Sequence, residues 1–330
     1  MVGSCLHSKH DVGMDSISRK RVGMKILIVA SFNKGRFAPF ILEQADALKR
    51  IGCEIEFFGL QGKGLQGYLK NLPSLRRRIK VLHPDIVHAH YGLSGLFANL
   101  QRRVPVVTTY HGSDINNFNV LRFSKLAMCF SAWNIFVSEK TLVIAKPKKN
   151  FSLLPCGIDL TELQLTEKYQ ARQKMGLQAD KKYVLFAGAF DNAVKNAPLA
   201  KESVTLLRDE NVKLIELKGY TREEVTLLMC ASDVILMTSF TEGSPQVIKE
   251  ALACGLPIVS VDVGDVNELI DGIEGCYLVD REPNSIAESI KLAFAFSGKT
   301  IGRDVIVEKK LVNDYIATRI LEIYRRVSNE

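Results

Sequence analysis

Short apolar runs alternate with longer amphipathic stretches along almost the whole chain, starting at Lys25. In the first half, the apolar runs predict strands at residues 25–31, 54–59, 86–90, 104–110, 135–138 and 152–155. The stretches between them show helical spacing, as in residues 37–50 and 93–102. The predicted strands are apolar on both faces, which is typical of parallel strands covered by helices on both sides.

The second half repeats this alternation and predicts a second sheet. Its strands are expected at residues 183–187, 213–217, 234–238, 257–261 and 276–279, and its helices at 198–208, 222–230, 245–254 and 285–296. Two such sets in series indicate an α/β fold of two Rossmann-like, doubly wound domains. Because ligands bind at the carboxyl ends of parallel strands, two facing domains would form a cleft.

The domain boundary is expected at residues 155–159, which read Pro-Cys-Gly-Ile-Asp. We therefore predict domains over residues 24–157 and 158–309. A last helix over residues 305–327 should pack back on the first domain through an apolar stripe of Leu311, Tyr315, Ile316, Ile320 and Ile323. Residues 1–23 are polar and irregular and lack the apolar core of a signal peptide, so a disordered or extra segment is expected there.

The formal net charge of +8 is unevenly distributed. Residues 1–155 contain 23 Lys and Arg against 9 Asp and Glu, whereas residues 156–330 contain 21 against 27. The basic half favours an anionic partner, although solvated surface lysines would give the same count. The basic cluster at residues 76–80 lacks the interleaved aromatic residues of a nucleic-acid site, so we expect no nucleic acid, and an anionic membrane surface stays open.

Seven scattered cysteines without a Cys-x-x-Cys pair argue against a disulfide framework or a zinc site. No apolar run approaches the ~20 residues of a membrane-spanning helix. These features predict a cytoplasmic protein. The segment after the first strand, residues 31–36, lacks G-x-G-x-x-G, which weakens an interpretation as a nicotinamide or flavin enzyme.

The most specific segment is residues 242–257, Glu-Gly-Ser-Pro-Gln-Val-Ile-Lys-Glu-Ala-Leu-Ala-Cys-Gly-Leu-Pro, which follows a predicted strand. It predicts a helix with Ser244 as N-cap and proline at its first position. The free N–H groups of the helix would face the cleft and suit a diphosphate, and Gly243 would let the backbone approach closely. Glu242 and Glu250 lie on either side of this helix end and can accept hydrogen bonds from a sugar and from a ribose. A surface loop before an ordinary helix is the alternative interpretation.

Residues 242–260 resemble the signature of the retaining glycosyltransferases of family 4, also called group 1, which have the GT-B fold. Supporting segments follow in the family's order: residues 84–90 (Pro-Asp-Ile-Val-His-Ala-His), 109–114 (Thr-Tyr-His-Gly-Ser-Asp), 154–159 (Leu-Pro-Cys-Gly-Ile-Asp), and Phe-Ala-Gly and Lys-Asn within 186–196. The similarity covers roughly residues 24–325. It implies an acceptor-side N-terminal domain, a nucleotide-sugar-binding C-terminal domain, and a C-terminal helix that crosses back to the first domain.

The resemblance also implies roles for individual residues. Glu250 would bind the ribose, Glu242 and His111 the donor sugar, and Lys195 the departing diphosphate, where a cation stabilises developing charge. Further donor contacts are expected from Gly243, Ser244, Gln246, Val247, Gly188 and Gly35, and acceptor contacts from His90, Asp114 and Arg36. No metal or other cofactor is expected, because Lys195 and the helix N–H groups would do the work of Mg²⁺.

The chain departs from the family at two positions. Cys156 stands where Asn is usual, and Ala189 stands where the family has an Arg six residues before Lys195. Three interpretations of Ala189 stay open. Another basic residue, such as Lys218 or Arg36, takes the place of the missing arginine, or the enzyme is less active. The third is that the chain binds a nucleotide sugar without transferring it.

The expected function is transfer of a sugar, with retention, from a nucleotide diphosphate donor such as a UDP-sugar. The acceptor would be a saccharide or a lipid-linked saccharide in surface polysaccharide biosynthesis, with peripheral association at the inner face of the membrane. A nucleotide-sugar 2-epimerase and a non-catalytic nucleotide-sugar-binding protein are the alternatives.

Overall fold

The computed structural model describes residues 23–328, which contain eleven strands and fourteen α-helices. Residues 1–22, most of the segment for which disorder is the expectation, lie outside the described residues. Each predicted strand has a counterpart, with ends that differ by up to two residues. Within the described residues, no helix is both long enough and apolar enough to cross a membrane.

Six parallel strands form the first sheet, in the order β2-β1-β3-β4-β5-β6. They are β1 (Lys25–Ser31), β2 (Glu54–Leu60), β3 (Ile86–His90), β4 (Val106–Tyr110), β5 (Trp133–Phe136) and β6 (Phe151–Leu153). The helices between them are α1 (Pro39–Arg50), α2 (Gly64–Leu69), α3 (Leu72–Leu82), α4 (Gly92–Asn99), α5 (Phe118–Phe130) and α6 (Glu139–Ala145).

Both faces of this sheet are buried, as the apolar strands predict. On β1, Ile26 and Ile28 pack in one core cluster with residues of α1, whereas Leu27 and Val29 pack in a second cluster on the other face. This alternation follows from the two-residue period of a strand. The doubly apolar strand Lys25–Ser31 is therefore central to the domain.

The second sheet has five parallel strands in the order β11-β10-β9-β7-β8. They are β7 (Lys182–Phe186), β8 (Val212–Glu216), β9 (Val234–Met237), β10 (Ile258–Val261) and β11 (Cys276–Val279). The helices are α7 (Lys168–Lys174), α8 (Ala197–Thr205), α9 (Arg222–Ala231), α10 (Gln246–Cys254), α11 (Val266–Ile270), α12 (Pro283–Ala295), α13 (Gly302–Glu308) and α14 (Asn313–Ser328).

The prediction of one continuous last helix over residues 305–327 is wrong. The chain breaks between α13 and α14, where Lys310 has a φ of 57° and the backbone of Ile158 accepts from Asn313 and donates to Leu311. These bonds hold the segment between α13 and α14 beside Ile158 at the domain boundary. Beyond the break, Ile316, Ile320 and Tyr324 of α14 join the core cluster that contains β1 and α1. The last helix therefore packs on the first domain.

Candidate functional site

A cavity of about 910 Å³ opens between the two domains, at the carboxyl ends of both sheets. The first domain contributes Phe40 and Glu43 from α1, Tyr91 after β3 and His111 after β4. The second domain contributes the loop after β7 and the loop that leads into α10. Doubly wound sheets place their ligand sites at this edge, so this cavity is the candidate active site.

Helix α10 begins at Gln246, with Pro245 in the N-cap position and no side-chain cap. The prediction that Ser244 caps this helix is therefore wrong. The Ser244 hydroxyl lies 2.6 Å from Asp265 Oδ2 and accepts a hydrogen bond from Lys249 Nζ at 2.6 Å. The first N–H groups of α10 therefore donate to no capping side chain. They lie at the cleft, where they can bind an anion.

The two domains make close backbone contact beneath this helix end. A Cβ on Gly243 would lie 2.1 Å from the carbonyl oxygen of His111, and one on Gly112 would lie 2.5 Å from the Cα of Gly243. Gly112 also has a φ of 104°, a conformation that favours glycine. Glycine is therefore required at both positions by the close approach of the chains.

Lys195 and Glu242 lie together on the second-domain side of the cavity. Lys195 Nζ donates to Glu242 Oε1 at 2.7 Å, and both side chains are mostly buried. A Cβ on Gly188 would lie 2.6 Å from Cγ of Lys195, so this glycine leaves the space through which the lysine reaches the cleft. Gly188 and Lys195, from the loop after β7, thus form one wall of the cavity with Glu242, which lies 47 residues beyond Lys195.

Glu250 is held by an arginine to which the sequence analysis assigns no role. Arg222, the first residue of α9, donates through Nη1 to Glu250 Oε1 at 2.5 Å. Its Nη2 lies 3.0 Å from Glu43 Oε1, on α1 of the other domain. One guanidinium therefore joins the carboxylate expected at the ribose to a carboxylate across the cleft.

Three histidines form a buried column that ends at the cleft. His88 and His90 are fully buried and their rings stack 4.5 Å apart. His90 Nδ1 and His111 Nε2 lie 3.0 Å apart, and Cys156 Sγ lies 3.7 Å from His111 Nδ1. Burial lowers the pKa of His88 and of His111 to about 3, so these rings are neutral at physiological pH.

Of the predicted site residues, nine line the cavity: His111, Gly188, Lys195, Glu242, Gly243, Ser244, Gln246, Val247 and Glu250. Four lie outside the lining. Gly35 and Arg36 are exposed in the loop after β1, and the Gly35 Cβ position has open space around it. The expectation that Gly35 admits a close approach of donor or acceptor stays a prediction.

His90 and Asp114 are buried behind the cavity wall, which corrects the expectation of acceptor contacts for both. The Asp114 carboxylate accepts from the backbone N–H groups of Gly92, His111 and Gly112 at 2.8–3.0 Å. Burial raises its pKa to about 6, against the lowering effect of these bonds. Asp114 thus shapes the loop that presents His111.

Sequence reasoning missed Lys249, the seventh residue after Glu242. It is fully buried, and its Nζ donates to the carbonyl of Cys156 at 2.7 Å as well as to Ser244. The signal was available, because a lysine next to Glu250 on the buried face of an amphipathic helix must find polar partners. Lys249 therefore ties α10 to the domain boundary.

Among residues 23–328, no group of three or more His, Cys, Asp or Glu side chains is arranged to hold a metal ion. The charged groups that line the cleft are the two ion-paired sets around Lys195 and Arg222. The site combines a helix N-terminus, two cations and three carboxylates, an arrangement that can bind an anionic group and the hydroxyls attached to it.

Two facing parallel-sheet domains with a helix end in the cleft define the GT-B glycosyltransferase fold. The sucrose-phosphate synthase of Thermosynechococcus elongatus has this fold, with a TM-score of 0.76, 17% identity and coverage of 92% of this chain and 99% of that one. HepE from Anabaena in complex with UDP gives a TM-score of 0.70 at 18% identity, covering 91% and 99% of the two chains.

Sequence comparison identifies the family. Residues 23–162 match the family described as Glycosyltransferase Family 4, and residues 206–295 match Glycosyl transferases group 1. The chain belongs to this family of glycosyltransferases. It is 26% identical over 237 residues to TuaC of Bacillus subtilis (strain 168), a glycosyltransferase named for teichuronic acid biosynthesis, with 63% of this chain covered. The match spans 61% of the length of TuaC.

Proposed function

We propose that the protein is a retaining glycosyltransferase that transfers a sugar from a nucleotide diphosphate donor, with UDP as the nucleotide. The observation that carries the proposal is the convergence of Lys195, Glu242 and Glu250 around the N-terminus of α10 in one cleft. The diphosphate binds at the helix N–H groups and Lys195, the ribose at Glu250, and the sugar between Glu242 and His111. The complex of HepE with UDP supports the choice of nucleotide.

In the proposed mechanism the acceptor hydroxyl attacks on the face from which the diphosphate departs, and that diphosphate takes the proton. Retention then needs no protein nucleophile. The Oε1 atom of Glu242 accepts a hydrogen bond from Lys195, which favours a role in holding the sugar and the cation over a covalent role. Charge on the leaving diphosphate is stabilised by Lys195 and the helix end, so the reaction proceeds without a metal ion.

The acceptor is a saccharide or a lipid-linked saccharide in the assembly of a surface polysaccharide, in the cytoplasm at the inner face of the membrane. The named role of TuaC in teichuronic acid biosynthesis supports the acceptor class. The basic first half of the chain supports contact with an anionic lipid surface. On α3, Arg77 and Lys80 are exposed, whereas Arg78 pairs with Glu56 at 2.6 Å.

The test is a donor screen in which release of the nucleoside diphosphate is followed for UDP-, GDP- and ADP-sugars, with and without saccharide acceptors and with EDTA. We expect acceptor-dependent release of UDP that EDTA leaves unchanged, and loss of release in Lys195→Met. Formation of an epimer from a UDP-sugar alone would identify the epimerase alternative. Binding of a UDP-sugar without turnover on any acceptor would identify the non-catalytic alternative.

A further inference from the structure

The cleft contains a second cationic side chain, to which the family resemblance assigns no role. Among the described residues that line the cavity, Lys195 and Arg222 carry positive charges. Ala189 occupies the position where the family has arginine. The two substitutes suggested by the sequence lie elsewhere: Lys218 pairs with Asp191 at 2.6 Å on the surface, and Arg36 is exposed outside the lining.

Arg222 spans the cleft in a way that leaves its partners less exposed than itself. The side chains of Glu250 and Glu43 are 7% and 18% exposed, whereas that of Arg222 is 38% exposed. The guanidinium binds one carboxylate with Nη1 and the other with Nη2. The guanidinium therefore lies at the cavity, with Nη1 bound to Glu250 of the second domain and Nη2 bound to Glu43 of the first.

Binding of a ribose at Glu250 would disturb this arrangement. If the two ribose hydroxyls donate to the two oxygens of Glu250, they compete with Arg222 Nη1 for Oε1. A guanidinium donor left unpaired in a half-buried cleft is costly, so Arg222 needs a new acceptor nearby. Glu250 lies four residues, or about 6 Å along the helix, from Gln246 at the N-terminal end of α10. Arg222 and the first residues of α10 line the same cavity.

We propose that Arg222 is the second diphosphate-binding cation of the donor site and exchanges Glu250 for a phosphate oxygen when the donor binds. This inference rests on the proposed function. Arginine suits the exchange because its planar fork can keep Glu43 on one edge while the other edge binds phosphate. Through Glu43, the first domain then contributes to the binding of the diphosphate.

The test compares the affinities of UDP and of uridine, which lacks phosphate, for the wild type and for Arg222→Met and Arg222→Lys. We expect Arg222→Met to weaken the binding of UDP about tenfold or more, because charged hydrogen bonds to phosphate are lost. Uridine should bind as tightly as to the wild type or more tightly, because Arg222 no longer competes for Glu250 Oε1. Arg222→Lys should retain part of the affinity for UDP. Equal losses for UDP and uridine would overturn the inference, since Arg222 would then act by orienting Glu250.

A charge-matched variant separates direct contact from the general field of the cleft. Arg222→Met alone adds one net negative charge to the cluster of Glu43, Arg222 and Glu250, whereas Glu43→Gln with Arg222→Met leaves the net charge unchanged. If Arg222 binds phosphate directly, the double variant should have the same low affinity for UDP as Arg222→Met. Recovery of wild-type affinity in the double variant would refute the direct contact.

Failure of this inference is distinguishable from failure of the proposed function. If the wild type binds neither UDP, GDP nor ADP, the proposed function fails. If the wild type binds UDP and Arg222→Met binds it equally well, only the role of Arg222 fails. Arg208→Met is the matched control, because Arg208 is an exposed arginine of the same domain outside the cavity lining. Circular dichroism of each variant checks that it is folded.

Discussion

Lys195 Nζ lies 2.7 Å from Glu242 Oε1, although 47 residues separate the two in the sequence. Under the proposed function these residues hold different parts of the donor, the diphosphate and the sugar. In the structure each is the partner of the other. A donor that binds between them must replace one strong ion pair by two sets of hydrogen bonds, so the two side chains respond together to substitution.

Glu242→Ala should therefore separate binding from turnover. It releases Lys195 from its carboxylate, so free UDP should bind as tightly as to the wild type or more tightly. Turnover should fall about a hundredfold or more, because the sugar carbon is no longer positioned against the acceptor. UDP titration together with steady-state turnover measures both. A large loss of UDP affinity would mean that Glu242 binds the nucleotide and that its assignment is wrong.

Glu250→Ala should weaken the nucleotide itself. Hydrogen bonds to a charged group contribute about 1.5–3 kcal/mol each, so affinity should fall by roughly one to two orders of magnitude. Uridine, UDP and the full donor should all show the loss, because the ribose is common to them. Calorimetric titration of the three ligands is the measurement. Unchanged affinity for uridine would contradict ribose binding at this residue.

Lys249→Met should destabilise the fold strongly. The variant leaves Asp265, which is buried and linked to Lys249 through Ser244, without its compensating charge. The variant also loses the hydrogen bonds that Lys249 donates to Ser244 and to the carbonyl of Cys156, so we expect a loss on the order of 3 kcal/mol. Urea unfolding measures the change, and the double variant with Asp265→Asn should recover part of it. Additive losses in the double variant would show that the two groups are not coupled.

The buried histidines should make the fold sensitive to acid. The pKa of His88 and of His111 is about 3, below the ~6.5 of an unperturbed histidine, so the unfolded chain binds more protons between these values. Stability should therefore fall as the pH is lowered from 7.5 to 5. The raised pKa of Asp114, about 6, opposes this trend, since it favours the folded state at lower pH.

Urea unfolding at several pH values tests this expectation. The slope of stability against pH should decrease in His88→Gln, because glutamine cannot titrate. An identical slope in His88→Gln and the wild type would show that other groups determine the acid sensitivity.

Contact with an anionic membrane should depend on the exposed basic residues of α3. Binding to vesicles should rise with the fraction of anionic lipid and fall with salt, because exposed charges are screened over about 10 Å at 0.1 M. Arg77→Glu with Lys80→Glu should weaken vesicle binding, whereas Arg208→Glu in the second domain should not. If all three proteins sediment equally with the vesicles, the basic residues of α3 are ordinary solvated surface residues.

The strands were predictable because buried parallel strands are apolar on both faces. Several helices were not predictable, because their apolar side chains are not confined to the buried face. Helix α5 exposes Phe118, Leu126 and Phe130, so its pattern lacks the amphipathic period on which the prediction depends. The last helix has a clear apolar stripe, but its interruption at Lys310 depends on backbone bonds to Ile158, more than 150 residues earlier.

The sequence by itself determined two parallel α/β domains, the helix end at residues 242–257 and the two glutamates beside it, because these follow from local periodicity and from one continuous motif. Only the tertiary structure decided the charge pairing. Arg222 meets Glu43 and Glu250, and Lys195 meets Glu242, across distances that no local pattern encodes. The position of His90 at a strand end and that of Asp114 in the His-Gly-Ser-Asp segment predict contacts in the cleft, yet the packing of neighbouring rings and amides buries both. Side-chain partners depend on which elements fold against each other, and that information is spread over the whole chain.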